Sequence, residues 1–415
     1  MHRDSAVTPV AERPRAATAA PGYAPRSERV VVITDGEQRA ALAVVRSLGR
    51  AGWQCAVTAV SGGSLAGSSR YCAEELVLPD PARYPDDYAA ALVRHANALG
   101  ARLLIPVTEA SVFAVLKYRD DITAAVPFPE ASAVRAICNK QHLLNTAREL
   151  GIRVPRQREI RSKADAAGIA FEGPAVIKPH RSVVETQDGS RIKLTVKRAR
   201  TADELRSGLA GLPESAFPVL LQEMIQGPGV GHFVLLHEGE IWARFAHRRL
   251  REKPPWGGVS VLRQSEPIDG TLFAKSVALL RRYDWDGVAM IEYKIDQATG
   301  EAVLMEVNGR FWGSLQLAID AGVDFPALLA SLTIGERPDK VLSYRSVRSR
   351  WFWGDIDHVI AVFRSRDHSA ADRLFAVSRM LGGFGIGSRE EVFRWSDPLP
   401  FLRETSSWLR AVVAR

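Results

Sequence analysis

Cysteine is scarce in this sequence, with Cys55, Cys72 and Cys138 as its three members among 415 residues. Thiols so few and so widely spaced exclude a disulfide framework and a cysteine zinc site, and they favour a reducing compartment. We therefore expect a cytoplasmic location. Apolar runs are also short, since none approaches the roughly 18 residues that a transmembrane segment needs. Residues 1–28 are rich in Ala, Pro and Arg without the apolar run of a signal peptide, and we predict a disordered tail there.

The glycine pattern of a nicotinamide-binding domain is missing too. The first β-branched run, residues 30–33, is followed by the single glycine Gly36, whereas the dinucleotide fingerprint reads G-x-G-x-x-G. No signature of a nucleic-acid-binding module accompanies the net charge of +8. Half of that charge lies in residues 341–415, where 12 Arg and 8 acidic residues give +4. We expect no nucleic-acid partner, and contact with an anionic substrate or membrane surface is the better explanation.

Strand and helix patterns change along the chain. In residues 29–125 they alternate, which predicts a doubly wound parallel sheet. From Asn139 onward, strands follow one another across short turns such as Glu238-Gly239, a pattern typical of antiparallel sheets. The predicted architecture is therefore α/β and α+β, with a parallel sheet domain at 29–125, a two-lobed domain at 126–335 and a basic, aromatic C-terminal extension at 336–415.

Two apolar strands each contain one carboxylate. Residues 287–293 include Glu292, and residues 304–310 include Glu306; burying either charge without a partner would be costly. If the strands pair through their connecting turn, the two carboxylates lie side by side, and Asn308 lies on the same face. Two carboxylates and an amide oxygen suit a magnesium ion that also binds substrate phosphates. The alternative is a structural ion pair between Glu and Arg or Lys.

The run Glu306-Val307-Asn308-Gly309-Arg310, with Glu292 before it, resembles the metal-binding signature of the ATP-grasp superfamily. The resemblance is to the branch that contains the carbamoyl-phosphate synthase large chain and biotin carboxylase. Earlier segments agree in order: Asn139-Lys140 with residues 151–155, then residues 176–179, then residues 221–227. The resemblance covers about residues 29–329 and implies a pre-ATP-grasp domain followed by the ATP-grasp domain.

This resemblance implies ATP and Mg²⁺ as cofactors, with Mn²⁺ as the alternative ion. It assigns the metal to Glu292, Glu306 and Asn308. For the nucleotide, it implies two phosphate-binding lysines and an adenine-contacting strand: Lys140, Lys178, Gln222, Glu223, Met224 and Ile225. The planar fork of Arg310 is suited to a carboxylate or a transferring phosphoryl group.

Two segments depart from the family pattern. The family's phosphate-covering loop is usually glycine-rich, but residues 180–190 contain only Gly189. Side chains are therefore expected to replace backbone amides there. The second departure is Gly229-Val230-Gly231, which stands where the family tends to place an acidic residue for the ribose.

The basic segment at residues 247–253 has two interpretations. It is either a solvated loop or a lid over the acceptor site. In the second case Arg248, Arg249 or Arg263 stabilises carboxylate and acyl-phosphate charge. Together with Arg310, we take Arg248 and Arg263 as candidate catalytic residues.

In the C-terminal extension, the pattern of Asp355, Asp357 and His358 suggests a metal site, but a packed amphipathic element explains this pattern better. Four of the nine Trp residues follow residue 350. Their basic setting fits a packed appendage, a homodimer contact or a weak contact with a membrane surface.

The function predicted from these residues is that of a carboxylate–amine ligase. ATP would activate a small-molecule carboxylate as an acyl phosphate, which an amine or another nucleophile then attacks, releasing ADP and phosphate. Two alternatives keep the fold. One is a phosphotransferase that releases a stable phosphorylated product, and the other is a nucleotide-binding regulatory protein without turnover.

Overall fold

The computed structural model describes residues 29–413, except 171, 180–182, 186–190, 195, 256, 366–368 and 383–386. The predicted disordered tail at 1–28 and most of the loop at 180–190 lie outside the described residues.

The N-terminal part is an α/β layer, as predicted. Its four strands are parallel in the order β3-β2-β1-β4. The elements in chain order are β1 Val30–Ile33, α1 Arg39–Arg50, β2 Gln54–Ala59, β3 Cys72–Val77, α2 Pro85–Ala98, β4 Leu103–Ile105 and α3 Glu109–Lys117. The two middle strands, β1 and β2, are mostly apolar and are buried beyond their first residues, which explains why their positions could be read from the sequence.

Two helices lead into a small antiparallel sheet with the order β5-β10-β6-β9. Asn139 begins the second helix, because its side chain accepts a hydrogen bond from the backbone of His142. The elements are α4 Ala131–Cys138, α5 Lys140–Glu149, β5 Gln157–Ile160, α6 Lys163–Ala167, β6 Ala175–Pro179, β7 Val183–Glu185, β8 Arg191–Lys193, β9 Lys197–Ala199, α7 Ala202–Ala210 and β10 Val219–Glu223. This sheet and α7 form the first of the two lobes.

The second lobe is a seven-stranded sheet with the order β15-β14-β11-β12-β13-β16-β17. Its strand pairs are antiparallel apart from β16 with β17. The elements are β11 Gly229–His237, β12 Glu240–Lys253, β13 Val259–Ser265, α8 Gly270–Arg281, β14 Gly287–Ile295, β15 Ala302–Asn308, α9 Leu315–Ala321, α10 Phe325–Thr333, β16 Arg348–Arg350 and β17 Ser388–Glu390.

Both faces of the large sheet are buried against other parts of the chain. One face, with Phe233 and Phe245, shares a core with the first α/β layer, α9 and α10. The other face, with Ile291 and Tyr293, packs against α5 and α8. Residues before and after position 125 share these cores, and so do residues before and after position 335. The cores therefore do not separate the predicted domains, and the domain boundaries stay predictions.

The C-terminal extension adds strands β16 and β17 to the large sheet. Its helices α11 Phe352–Arg364 and α12 Ala370–Gly382 lie between these strands in sequence, and α13 Leu399–Val413 follows β17. Buried ion pairs tie it to the first layer: Arg46 Nε donates to Asp397 Oδ2 at 2.8 Å, and Arg39 contacts Glu391 at 2.5 Å. Asp355 pairs with Arg251 and Arg350, so this segment packs as an amphipathic element, as predicted.

No group of three or more His, Cys, Asp and Glu side chains suited to a metal ion occurs within the described part of the chain. Among the same residues, no single helix has both the length and the apolar composition to cross a membrane. The bent pair of α9 and α10 meets those two criteria only when the helices are taken together.

Candidate functional site

The two strand carboxylates are direct neighbours. Glu292 on β14 pairs with Glu306 on β15, and Asn308 stands opposite Met290 two pairs further along the same ladder. The Asn308 amide nitrogen donates to Glu306 Oε1 at 3.0 Å. All three side chains are half-buried. The register places two carboxylates and an amide on one face, as the sequence predicted, and these are oxygen ligands that Mg²⁺ accepts.

The two carboxyl groups differ electrostatically. Burial raises the pKa of Glu292, and the nearby charge of Glu306 adds to this, while Arg249 opposes it. Burial also disfavours the charged form of Glu306, but the hydrogen bond from Asn308 and the charges of Lys140 and Lys178 outweigh it and lower its pKa. Cations on three separate elements therefore stabilise this acidic pair.

Arg249 on β12 is the cation closest to the pair. Its Nη2 donates to Glu292 Oε2 at 2.5 Å, and its Nη1 donates to Glu252 Oε1 at 3.3 Å. Strand β11 lies between β12 and β14, and it carries glycine at both 229 and 231. A Cβ atom at Gly229 would stand 2.8 Å from Arg249 Cδ. Gly229 and Gly231, which differ from the family pattern, thus leave space for the Arg249 side chain to cross β11.

The lysine predicted at the end of β6 lies in the interior of the small lobe. Lys178 Nζ donates to Gln222 Oε1 at 2.6 Å, and Gln222 in turn donates to Gln157 at 3.3 Å. Burial, followed by repulsion from Lys140, lowers the pKa of Lys178 to about 8, against attraction by Glu306 and Glu292. Lys140 itself is exposed at the start of α5. The structure thus brings both predicted lysines within the field of the acidic pair.

The predicted adenine-contacting strand borders a large cavity. The cavity, about 850 Å³ in volume, lies between the end of β10 and the turn that follows β14. Gln222, Glu223, Met224 and Ile225 all line it. The carboxylate of Glu223 is occupied by Arg156, whose backbone amide donates to it at 3.1 Å. Recognition of adenine by the backbone of this strand stays a prediction.

Arg310 follows directly after β15. Its Nη2 donates to Asn308 Oδ1 at 3.1 Å, and its Nη1 donates to the Phe311 carbonyl at 2.9 Å. The amide of Asn308 therefore bridges Glu306 and Arg310. This connection places a planar cation beside the acidic pair, where the sequence predicted it.

The structure places two of the predicted catalytic arginines, Arg248 and Arg263, away from the acidic pair. Arg248 precedes Arg249 on β12, so its side chain leaves from the opposite face, where it pairs with Glu266 at 2.7 Å. Arg263 is fully buried, with its guanidinium on Glu391 and on the Ser260 carbonyl. Neither contacts the acidic pair, because one faces away and the other belongs to the ion pairs that attach the C-terminal extension. The arginine of β12 that contacts the pair is Arg249.

The comparisons with known proteins agree with this architecture. Residues 217–352 match the family described as ATP-grasp in the biosynthetic pathway with Ter operon. This chain has the ATP-grasp fold, which confirms the fold that the resemblance implied. No curated protein matched the chain in sequence.

Several solved structures share the fold at low sequence identity. An L-amino acid ligase from Bacillus licheniformis is 13% identical, with a TM-score of 0.58 and 74% of each chain covered. The biotin carboxylase domain of 2-oxoglutarate carboxylase from Hydrogenobacter thermophilus, solved with MgADP and bicarbonate, is 14% identical, with a TM-score of 0.57 and 76% and 71% covered. N5-carboxyaminoimidazole synthetase from Staphylococcus aureus, solved with ADP, is 14% identical, with a TM-score of 0.57 and 77% and 81% covered.

Proposed function

We propose that this protein is an ATP-dependent ligase that activates a small-molecule carboxylate as an acyl phosphate. An amine then attacks the acyl phosphate, and ADP and phosphate are released. The observation that carries the proposal is the pairing of Glu292 with Glu306 on adjacent strands, with Asn308 beside them and cations around them. A carboxylate pair surrounded by an amide and several cations is suited to a metal–nucleotide complex. A simple structural ion pair would not need the amide of Asn308.

The residues present fit a magnesium ion. Glu306 is kept ionised by Asn308 and the lysines, and among the described residues no cation lies within 4 Å of its carboxylate to form an ion pair. Glu292, Glu306 and Asn308 would hold the ion, which supplies Lewis-acid polarisation of the terminal phosphoryl group. Two carboxylates and an amide fill only part of a six-ligand shell, and Mg²⁺ commonly completes it with phosphate oxygens and water.

The remaining residues bind and orient the reactants. Lys140 and Lys178 provide point charges for the phosphates. The guanidinium groups of Arg310 and Arg249 lie on either side of the acidic pair and can stabilise the negative charge that develops on the carboxylate and the phosphoryl group. Attack of a carboxylate oxygen on the terminal phosphorus forms the new O–P bond and breaks the bond to the ADP oxygen. The protein contributes position and charge, without a covalent intermediate of its own.

The experiment that tests this function uses hydroxylamine as a small nucleophile. The purified protein is incubated with MgATP, hydroxylamine and a panel of amino acids and other small carboxylates, and ADP, AMP and hydroxamate are measured. The expected products are ADP and hydroxamate in equal amounts with at least one carboxylate. Stoichiometric AMP would contradict the mechanism. ADP with a phosphorylated product and no hydroxamate would instead identify a phosphotransferase.

A further inference from the structure

A second cavity includes Arg249, the partner of Glu292, in its lining. Its volume is about 370 Å³, within the range of small-molecule sites. One wall is β12 around Arg249 and Glu252, and the opposite wall is formed by α11 and α12 of the C-terminal extension. Arg249 connects the cavity to the site described above, because one of its nitrogens contacts Glu252 and another contacts Glu292.

One face of α12 forms most of the far wall. Asp372, Phe375, Ala376 and Arg379 all line the cavity, and their spacing of three and four residues places them on the same side of the helix. Val362 on α11 extends the apolar part of this wall. The cavity therefore has an apolar side on the helices and a polar side on β12, which suits a small molecule with both characters.

The polar side contains an arginine nitrogen that has no partner. Arg249 Nε is buried, and it has no hydrogen-bond partner among the residues that the structure describes. Leaving a buried donor without a partner is energetically unfavourable. A ligand that accepts a hydrogen bond in the cavity would remove this cost.

His358 on α11 brings a proton acceptor to the same cavity. Its Nδ1 lies 2.6 Å from the carbonyl oxygen of Glu252. A carbonyl can only accept, so Nδ1 carries the hydrogen and the neutral ring has its lone pair on Nε2. Burial lowers the pKa of His358, and the charges of Arg251 and Arg379 add to this effect, while the Glu252 carbonyl and Asp355 oppose it. The imidazole is therefore neutral near pH 7.

From this juxtaposition we propose that the cavity between β12 and helices α11 and α12 binds the amine substrate, and that His358 Nε2 accepts a proton from it. The inference rests on the proposed function and deepens it. The substrate class is a primary amine that carries a hydrogen-bond acceptor for Arg249 Nε and a compact apolar substituent, which packs against Val362, Phe375 and Ala376. The C-terminal extension then determines which amine is used.

Conversion of the ammonium group into an amide removes two protons from the nitrogen. A primary amine is mostly protonated at neutral pH and has no lone pair for attack, so His358 Nε2 first takes one proton from the ammonium group. The amine nitrogen then attacks the carbonyl carbon of the acyl phosphate. The C–N bond forms, the C–O bond to the phosphate breaks, and the second proton leaves with the departing phosphate.

The test separates the amine from the activation step. Hydroxylamine is small and already neutral at pH 7, so it needs neither the apolar wall nor a base. With MgATP and a carboxylate that gives hydroxamate with the unmodified protein, two products are compared: the hydroxamate, and the amide formed with L-leucinamide. Ala376→Trp fills the cavity from α12. Ala370→Trp is the matched control, because Ala370 is exposed and points to the other side of the helix. His358→Gln removes the proton acceptor.

We expect Ala376→Trp to lose the amide product while its hydroxamate rate stays within about twofold of the unmodified protein, and Ala370→Trp to keep both. His358→Gln should lose about 100-fold in amide formation at pH 7, in the range of general-base effects, with recovery towards pH 9.5 as the amine loses its own proton. Parallel loss of both products, or retention of the amide in Ala376→Trp and His358→Gln, would overturn the inference. Absence of any hydroxamate from the unmodified protein would overturn the proposed function instead.

Discussion

Arg249 and Glu292 stand on strands that are not neighbours, yet their side chains meet at 2.5 Å. Strand β11 separates them, and the contact crosses it where Gly229 and Gly231 present no side chains. Gly231 pairs directly with Glu292 in the ladder. Because β11 has no side chains at these two positions, the guanidinium of Arg249 on β12 can reach the carboxylate of Glu292 on β14.

The first prediction concerns this crossing. Gly229→Ala adds a Cβ that would stand 2.8 Å from Arg249 Cδ, so the arginine side chain must move away from Glu292. We expect turnover to fall at least tenfold with little change in melting temperature, because a flexible side chain absorbs the clash. Gly270→Ala is the matched control, since nothing lies within 4 Å of its added Cβ. Full activity in Gly229→Ala would show that the Arg249 contact is not needed.

The second prediction concerns the protonation of Lys178. Burial, together with repulsion from Lys140, lowers its pKa to about 8, whereas bound phosphates would favour the charged form. Above that pH, ATP binding must be accompanied by uptake of a proton, so affinity should weaken as the pH rises. Below it the lysine is already charged, and affinity should change little.

Calorimetry of MgATP binding at pH 8.5, in two buffers with different ionisation enthalpies, measures this proton uptake. Lys178→Ala should bind MgATP more weakly, with its fold intact and proton uptake reduced. The exposed Lys163 provides the control Lys163→Ala, which should behave as the unmodified protein. Equal proton uptake in Lys178→Ala would exclude Lys178 as its source.

The third prediction tests whether the C-terminal extension is an integral part of the fold. Arg46 is 1% exposed and donates to Asp397 as well as to the Val392 carbonyl. Arg46→Met would leave the Asp397 carboxylate buried without its cation, at a cost of about 3 to 5 kcal/mol. Lys117→Met removes a pair on the surface with Asp86 and should change stability little. Urea denaturation of both variants measures the difference, and equal stabilities would contradict the packing described here.

The acidic pair could be predicted from sequence because each carboxylate interrupts an apolar strand, and because a single turn connects the two strands. Strand β3, in contrast, was not predicted. It lies at the sheet edge with most residues partly or fully exposed, so its sequence, CAEELV, has no apolar run. The signal is missing because the side chains of β3 are exposed, whereas β4 at the other edge of the sheet is the buried apolar run LLI.

The choice between Arg248 and Arg249 could not be made from sequence either. Strand β12 has irregular pairing with β13 just after Arg249, and its pairing with β11 shifts near Leu235. Each extra residue in a strand reverses which side chains face the site. The role of Arg263 was hidden for another reason, since its partner Glu391 lies 128 residues further along the chain.

Glu306 is the proposed magnesium ligand on which the ATP-dependent chemistry depends, and the substitution Glu306→Gln probes this role. The amide keeps the size of the side chain but loses the charge that offsets the metal. ADP formation is measured across a magnesium titration, together with the melting temperature of the same preparation. Turnover should be nearly abolished at every magnesium concentration while the melting temperature is retained. A variant that melts early yet keeps its turnover and magnesium dependence would contradict it.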